Sequence, residues 1–146
     1  MANFVAATSD FEARTRASFA RQQLMASLGA SMVKVAPGEV RIELPFSAAH
    51  TQQHGYVHAG AITSIVDSAC GYAALTLMAA NLEVVTVEFK VNFLNPAKGT
   101  SFLAIGKVVK PGRTITVCTG EVFALTGGEQ KAIAVMQTTM MAVPRT

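Results

Sequence analysis

Residues 58–80 read HAGAITSIVDSACGYAALTLMAA, a stretch in which Asp67 is the single formal charge. Its length raises the question of a membrane span. The composition argues against one. Alanine is the commonest of its apolar residues, Gly60, Thr63, Ser64, Gly71 and Thr76 are interspersed, and a central aspartate costs about 3 kcal/mol in a bilayer. A helix buried on most sides by its own protein fits better.

Downstream of this helix, four segments read as strands: Leu82 to Leu94, Ser101 to Lys110, Thr114 to Leu125 and Lys131 to Val143. In the first, Val85, Val87, Phe89, Val91 and Phe93 alternate with Thr86, Glu88, Lys90 and Asn92, which predicts two distinct faces. Asn95-Pro96, Pro111-Gly112 and Gly127-Gly128 supply turns between them, so the strands form an antiparallel meander. Upstream, Ser31 to Phe46 reads as a strand pair broken at Pro37-Gly38, and Asp10 to Leu28 as one amphipathic helix ending near Gly29. One long uncharged helix followed by antiparallel strands lacks the crossovers of a parallel fold, so the sheet must wrap the helix. The expected class is α+β with the hotdog architecture, as a single domain spanning residues 1–146.

The 146 residues suffice for one core. Half of them (51%) are hydrophobic and 14% are charged, a surplus of apolar surface that calls for a subunit interface. The net charge of +3 is spread without a basic run, which points away from nucleic acid. Cys70 and Cys118 lie inside regular segments with no CxxC pair, so neither metal nor disulfide chemistry is expected. The first ten residues lack the order of a secretory signal, which together with the cysteines predicts a cytoplasmic protein with no membrane partner.

Asp67 carries the strongest chemical signal, because an ionisable group inside an apolar helix must be hydrogen-bonded, solvated by a cleft or shifted in pKa. It is either a structural aspartate bonded to nearby hydroxyls or a functional one. Thr63, Ser64, Cys70 and Gly71, three and four residues away, leave room beside it for a substrate. Gly71 costs the helix interior about 1 kcal/mol relative to alanine, a cost that needs a reason. Just upstream, Gln52-Gln53-His54-Gly55-Tyr56-Val57-His58-Ala59-Gly60 places free backbone N–H groups at the helix start, where a polarised carbonyl oxygen would bind. His50, His54 and His58 share four-residue spacing, but Gly55 argues against the continuous helix a metal site would need. Cys70 has no basic partner in the sequence and reads as packing. Met136, Met140 and Met141 read as core or interface filling.

The segment from Gln52 to Asp67 resembles the phenylacetate-pathway (PaaI-like) branch of hotdog thioesterases, which carry Asn-x-x-Gly-x-x-His-Gly-Gly and an aspartate nine residues after the histidine. Gly55, His58, Gly60 and Asp67 match at those spacings; Gln52 replaces the asparagine and Ala59 the first glycine. The run Thr86 to Ala97 resembles the family strand that ends near a proline, with Thr86 at the position that assists the catalytic water. The resemblance implies hydrolysis of an acyl-CoA thioester, with Asp67 activating water or attacking as a nucleophile, and with Gln52, Ala59, Gly60 and Thr86 as its catalytic companions. Gly55, Ser64 and His58 are candidates for substrate or coenzyme A contacts, His58 reading first as a residue that fixes the helix start through hydrogen bonds; Lys98 and Arg113 are candidates for the phosphates, the Lys110–Arg113 turn being otherwise a solvated hairpin. No cofactor is expected beyond coenzyme A as part of the substrate.

Ala59 and Asp67 lie eight residues apart on one helix, about 12 Å along its axis, so one thioester cannot touch both within a subunit. A two-fold dimer, or a dimer of dimers, would set Ala59 and Gln52 of one copy against Asp67 and Thr86 of another. Two other functions stay open: a hotdog module that binds acyl-CoA without turnover, and a hydratase, for which the chain lacks an Asp-x-Asn-Pro-x-His pattern.

Overall fold

Alternation and turns build a single six-stranded sheet. The computed structural model describes residues 3–146. Helices α1 (Phe11–Ala20) and α2 (Gln23–Leu28) lead into strands β1 (Ser31–Ala36) and β2 (Glu39–Pro45), followed by a short 3-10 turn, Ala48–His50. Then come α3 (Ala59–Leu75) and strands β3 (Leu82–Phe93), β4 (Ser101–Lys110), β5 (Ile115–Thr126) and β6 (Glu129–Pro144). The strand order is β1-β2-β4-β5-β6-β3 with every neighbouring pair antiparallel. This is the expected sheet wrapped on one long helix. Among the described residues, no helix is long and apolar enough to cross a membrane.

The core lies between α3 and the concave face. On β4, Phe102, Ala104, Gly106 and Val108 turn inward; on β5, Thr116, Cys118, Gly120, Val122 and Ala124 do so. They meet Ile62, Ile65, Val66, Ala69 and Cys70, all fully buried on α3. Burial of each large aliphatic side chain contributes about 1.5–3 kcal/mol, which is what fixes the helix against the sheet. The helix sits close because Gly106 lacks a side chain: a Cβ there would lie 2.3 Å from the Ala69 carbonyl carbon and 2.4 Å from the Cys70 nitrogen.

Two sequence expectations need correction. The single helix over residues 10–28 is two helices, because Gln22 adopts an extended backbone (φ −81°, ψ 100°) between them. No glycine or proline causes the break; the Gln22 side chain is instead held by α3, where its Oε1 accepts from Ser68 Oγ at 2.9 Å. The alternation of β3 is also interrupted, by a bulge at Val87 between the pairs Thr86↔Met140 and Glu88↔Thr139. Thr86 therefore shares the concave face with Phe89, Val91 and Phe93, while Val85 points to the convex side.

Candidate active site

Asp67 lies on the α3 face turned away from β4, toward the edge strand β3. Thr86 Oγ1 donates to Asp67 Oδ1 at 2.8 Å, a contact that exists only because the bulge rotates Thr86 inward. Asp67 Oδ2 has no protein partner among the described residues. Burial raises the Asp67 pKa above the ordinary carboxylate value, and the Thr86 hydrogen bond partly offsets that rise. The pair opens on a cavity of about 120 Å3 lined also by Ser18, Gln22, Ser68, Gly71, Tyr72 and Met140. Sequence reasoning missed Ser18, Gln22, Ser68 and Tyr72, since neither helical spacing nor a motif connects α1 and α2 to Asp67.

The helix start forms a second, separate site. His50 to His58 fold into a tight loop: His58 N donates to the His50 carbonyl at 2.8 Å, Gln52 N to the Tyr56 carbonyl at 2.8 Å, and Val57 N to the Ala97 carbonyl at 3.1 Å. Gly55, at φ +84°, closes the turn that no residue with a Cβ would adopt easily. Its role is to set Gln52, whose Oε1 accepts from His54 N at 2.5 Å. That leaves the Gln52 amide N–H groups and the Ala59 backbone N–H without protein acceptors among the described residues. Both residues line an apolar cavity of about 280 Å3 with Phe93, Asn95, Pro96 and Ala97.

Three of the expected site residues lie elsewhere. His58 caps α3, and its Nδ1 accepts the Gly60 N–H at 2.7 Å. The Gly60 amide is thus engaged by the cap and does not face the Gln52–Ala59 cavity. Ser64 Oγ donates to the Gly60 carbonyl at 2.7 Å, and His58, Gly60 and Ser64 together border a different cleft, with Leu24, Leu28 and His50. Counting helix-start amides cannot show this, because it depends on where one imidazole folds back. Lys98 follows the Asn95–Ala97 wall of the Gln52 cavity, whereas Arg113 lies in the β4–β5 turn. The ten residues of β4 separate them by about 33 Å.

The histidines do not share a helix face, and among the described residues no group of three metal-binding side chains comes together. Cys70 is buried, and burial first, then the neighbouring Cys118 and Asp67, push its pKa well up. Burial takes Cys118 to about 12. Neither thiol is a nucleophile at neutral pH.

Comparison with known proteins agrees with this architecture. Residues 54–131 match the family described as the thioesterase superfamily. A thioesterase family protein from Silicibacter pomeroyi is 51% identical, covers 92% of this chain and 99% of its own, and superposes with a TM-score of 0.91. The E. coli PaaI protein of the phenylacetic acid degradation operon is 20% identical with a TM-score of 0.84, covering 94% and 96%, a likeness of fold. Human acyl-coenzyme A thioesterase 13 is 29% identical over 86 residues, 58% of this chain and 61% of that one. The chain spans about two thirds of the length of the relatives it matches in Saccharolobus solfataricus and Halobacterium salinarum, at 31–35% identity.

Proposed function

The chain belongs to the thioesterase superfamily, and on that premise we propose that it hydrolyses an acyl-CoA thioester to the free acid and coenzyme A, with Asp67 driving the attack. The observation that carries this reading is the Asp67–Thr86 pair, a carboxylate of raised pKa at the wall of a cavity in an otherwise apolar helix. A carboxylate so placed suits a general base. Asp67 takes a proton from water as the hydroxide oxygen bonds to the thioester carbon. The tetrahedral intermediate then expels the thiolate, which recovers the proton. Direct attack by Asp67 gives the same products through an anhydride, and single turnover in 18O-water separates the two routes: when water opens the anhydride at the aspartyl carbon, the product acid carries an unlabelled oxygen from Asp67.

Gln52 and Ala59 offer the two N–H donors that stabilise the developing oxyanion. Within one chain they cannot reach Asp67, since Thr86 and Phe93 border the two cavities and lie seven residues apart on β3, about 23 Å. A second copy joins the halves. Strand β3 is a sheet edge carrying Val85, Val87, Phe89 and Phe93 at 44–55% exposure, a surface that solvent-exposed edges normally avoid. Antiparallel pairing of two such edges about a two-fold near Phe89 and Lys90 sets Thr86 against the partner subunit's Phe93. The same two-fold brings Lys98 of one copy toward Arg113 of the other, because Arg113 lies at the Ile115–Met141–Val85 end of the sheet. Those cations then flank one joined site for the coenzyme A phosphates.

The test is hydrolysis across an acyl-CoA panel by wild type and Asp67→Asn, with folding and sedimentation checked. The variant should lose at least about 100-fold in kcat/KM while staying a folded dimer. Binding of acyl-CoA without turnover by the wild type would replace the enzyme by a ligand-binding module. Phe89→Lys should give a folded monomer without activity; an active monomer would dismiss the shared site.

A further inference from the structure

The cavity beside Asp67 has a polar floor. On one side, Ser68 Oγ donates to Gln22 Oε1 at 2.9 Å, so the Gln22 amide nitrogen is the end left to meet a ligand. On the other, Ser18 Oγ and Tyr72 OH share a hydrogen bond at 3.3 Å; two hydroxyls with one shared proton leave a second proton to donate. Gly71 opens the space between them. A Cβ added there would find only the Met140 side chain at 3.9 Å and Val84 at 4.0 Å, ordinary contact distances. Packing therefore does not require this glycine, although a mid-helix glycine is unfavourable. The missing side chain is accounted for by the room it leaves.

Resting on the thioesterase reading above, we propose that this cavity holds the acyl group and selects a short, neutral acyl chain bearing a hydroxyl, with Gln22 and the Ser18–Tyr72 pair as its specificity determinants. Size sets the first limit. The cavity measures about 120 Å3, less than the about 150 Å3 that accepts benzene, so a short acyl chain suits it better than an aromatic ring. Polarity sets the second. A substrate hydroxyl accepts from the Gln22 amide and pairs with the Ser18–Tyr72 hydroxyls, whereas a methyl in its place leaves those groups desolvated and unpaired. Charge sets the third, since Asp67 and Glu83 both line the cavity and disfavour a second carboxylate.

The experiment compares kcat/KM for acetyl-CoA, butyryl-CoA, 3-hydroxybutyryl-CoA and phenylacetyl-CoA in wild type, Gln22→Leu and Gly71→Ala. Wild type should favour 3-hydroxybutyryl over butyryl by at least about 10-fold and over phenylacetyl by more. In Gln22→Leu the ratio between the two four-carbon substrates should collapse toward one. Gly71→Ala should melt roughly 2–4 °C higher while the ratio of acetyl to four-carbon activity rises several-fold. Faster hydrolysis of phenylacetyl-CoA, or Gln22→Leu losses equal on both four-carbon substrates, or an unchanged chain-length ratio in Gly71→Ala, overturns the proposal while leaving the thioesterase intact. No hydrolysis of the four while longer acyl-CoAs are turned over overturns this pocket alone; no hydrolysis of any acyl-CoA overturns the thioesterase reading and this pocket with it.

Discussion

The two long faces of α3 use glycine for opposite reasons. Against β4 and β5 the helix packs on Gly106 and Gly120, where an added Cβ would lie 2.3 Å from the Ala69 carbonyl carbon and 2.4 Å from a Val66 methyl. Against β3 the glycine belongs to the helix itself, Gly71, and an added Cβ would meet nothing closer than 3.9 Å. The first face is tight because the sheet must be near; the second is open beside the one ionisable carboxylate of the helix. A closely packed face fixes the helix axis, and that is what lets the other face hold a cavity of defined shape.

The sharpest way to break this contrast is Gly106→Ala. The added methyl meets backbone atoms, which cannot swing aside as a side-chain tip would, so the variant should lose about 3 kcal/mol of stability. Urea unfolding of Gly106→Ala and Gly71→Ala side by side measures the difference. Equal effects would mean that α3 can shift over the sheet and that the cavity has no fixed shape.

Next in size is the bond that the bulge creates. Thr86 touches Asp67 and acts through it, so Thr86→Val should lower kcat/KM about 10-fold, with Thr86→Ser restoring most of it. Packing alone would give a similar loss; the pH profile would not move with it. Because the Thr86 hydrogen bond lowers the Asp67 pKa against the rise from burial, its removal should carry the acidic limb of kcat/KM to higher pH. An unmoved limb would assign Thr86 to packing.

How far such details can be read in advance follows from their physical origin. The extent of α3 is legible because hydropathy and the small-residue start at His58–Gly60 are local properties, and the strands because period-two alternation and turn residues are too. The bulge is not: Val85-Val87-Phe89 alternates without a flaw, and only the register against β6 turns Thr86 inward. The break at Gln22 has the same character, resting on a bond to Ser68 from 46 residues away. The resemblance placed Asp67, Thr86, Gln52 and Ala59 in one site, and spacing along α3 called for a second copy; His58 is legible as a residue that fixes the helix start, but that it does so by occupying the Gly60 amide depends on a side-chain rotamer.

The smallest effect is also the most diagnostic of the open face. Burial raises the folded-state pKa of Asp67 above its unfolded value, so the native state holds a proton that the unfolded chain has released. Stability therefore falls as pH rises from the ordinary carboxylate range through the raised value, and above it the full cost of the buried charge is present. An asparagine at this position carries no such charge, yet its amide oxygen still accepts from Thr86. Asp67→Asn should then be slightly more stable than wild type at neutral pH, with the advantage vanishing below the ordinary carboxylate pKa, as urea midpoints across that range would register. A variant less stable at neutral pH would mean that the ionised carboxylate holds the fold together, and the case for an aspartate kept ready for chemistry would weaken accordingly.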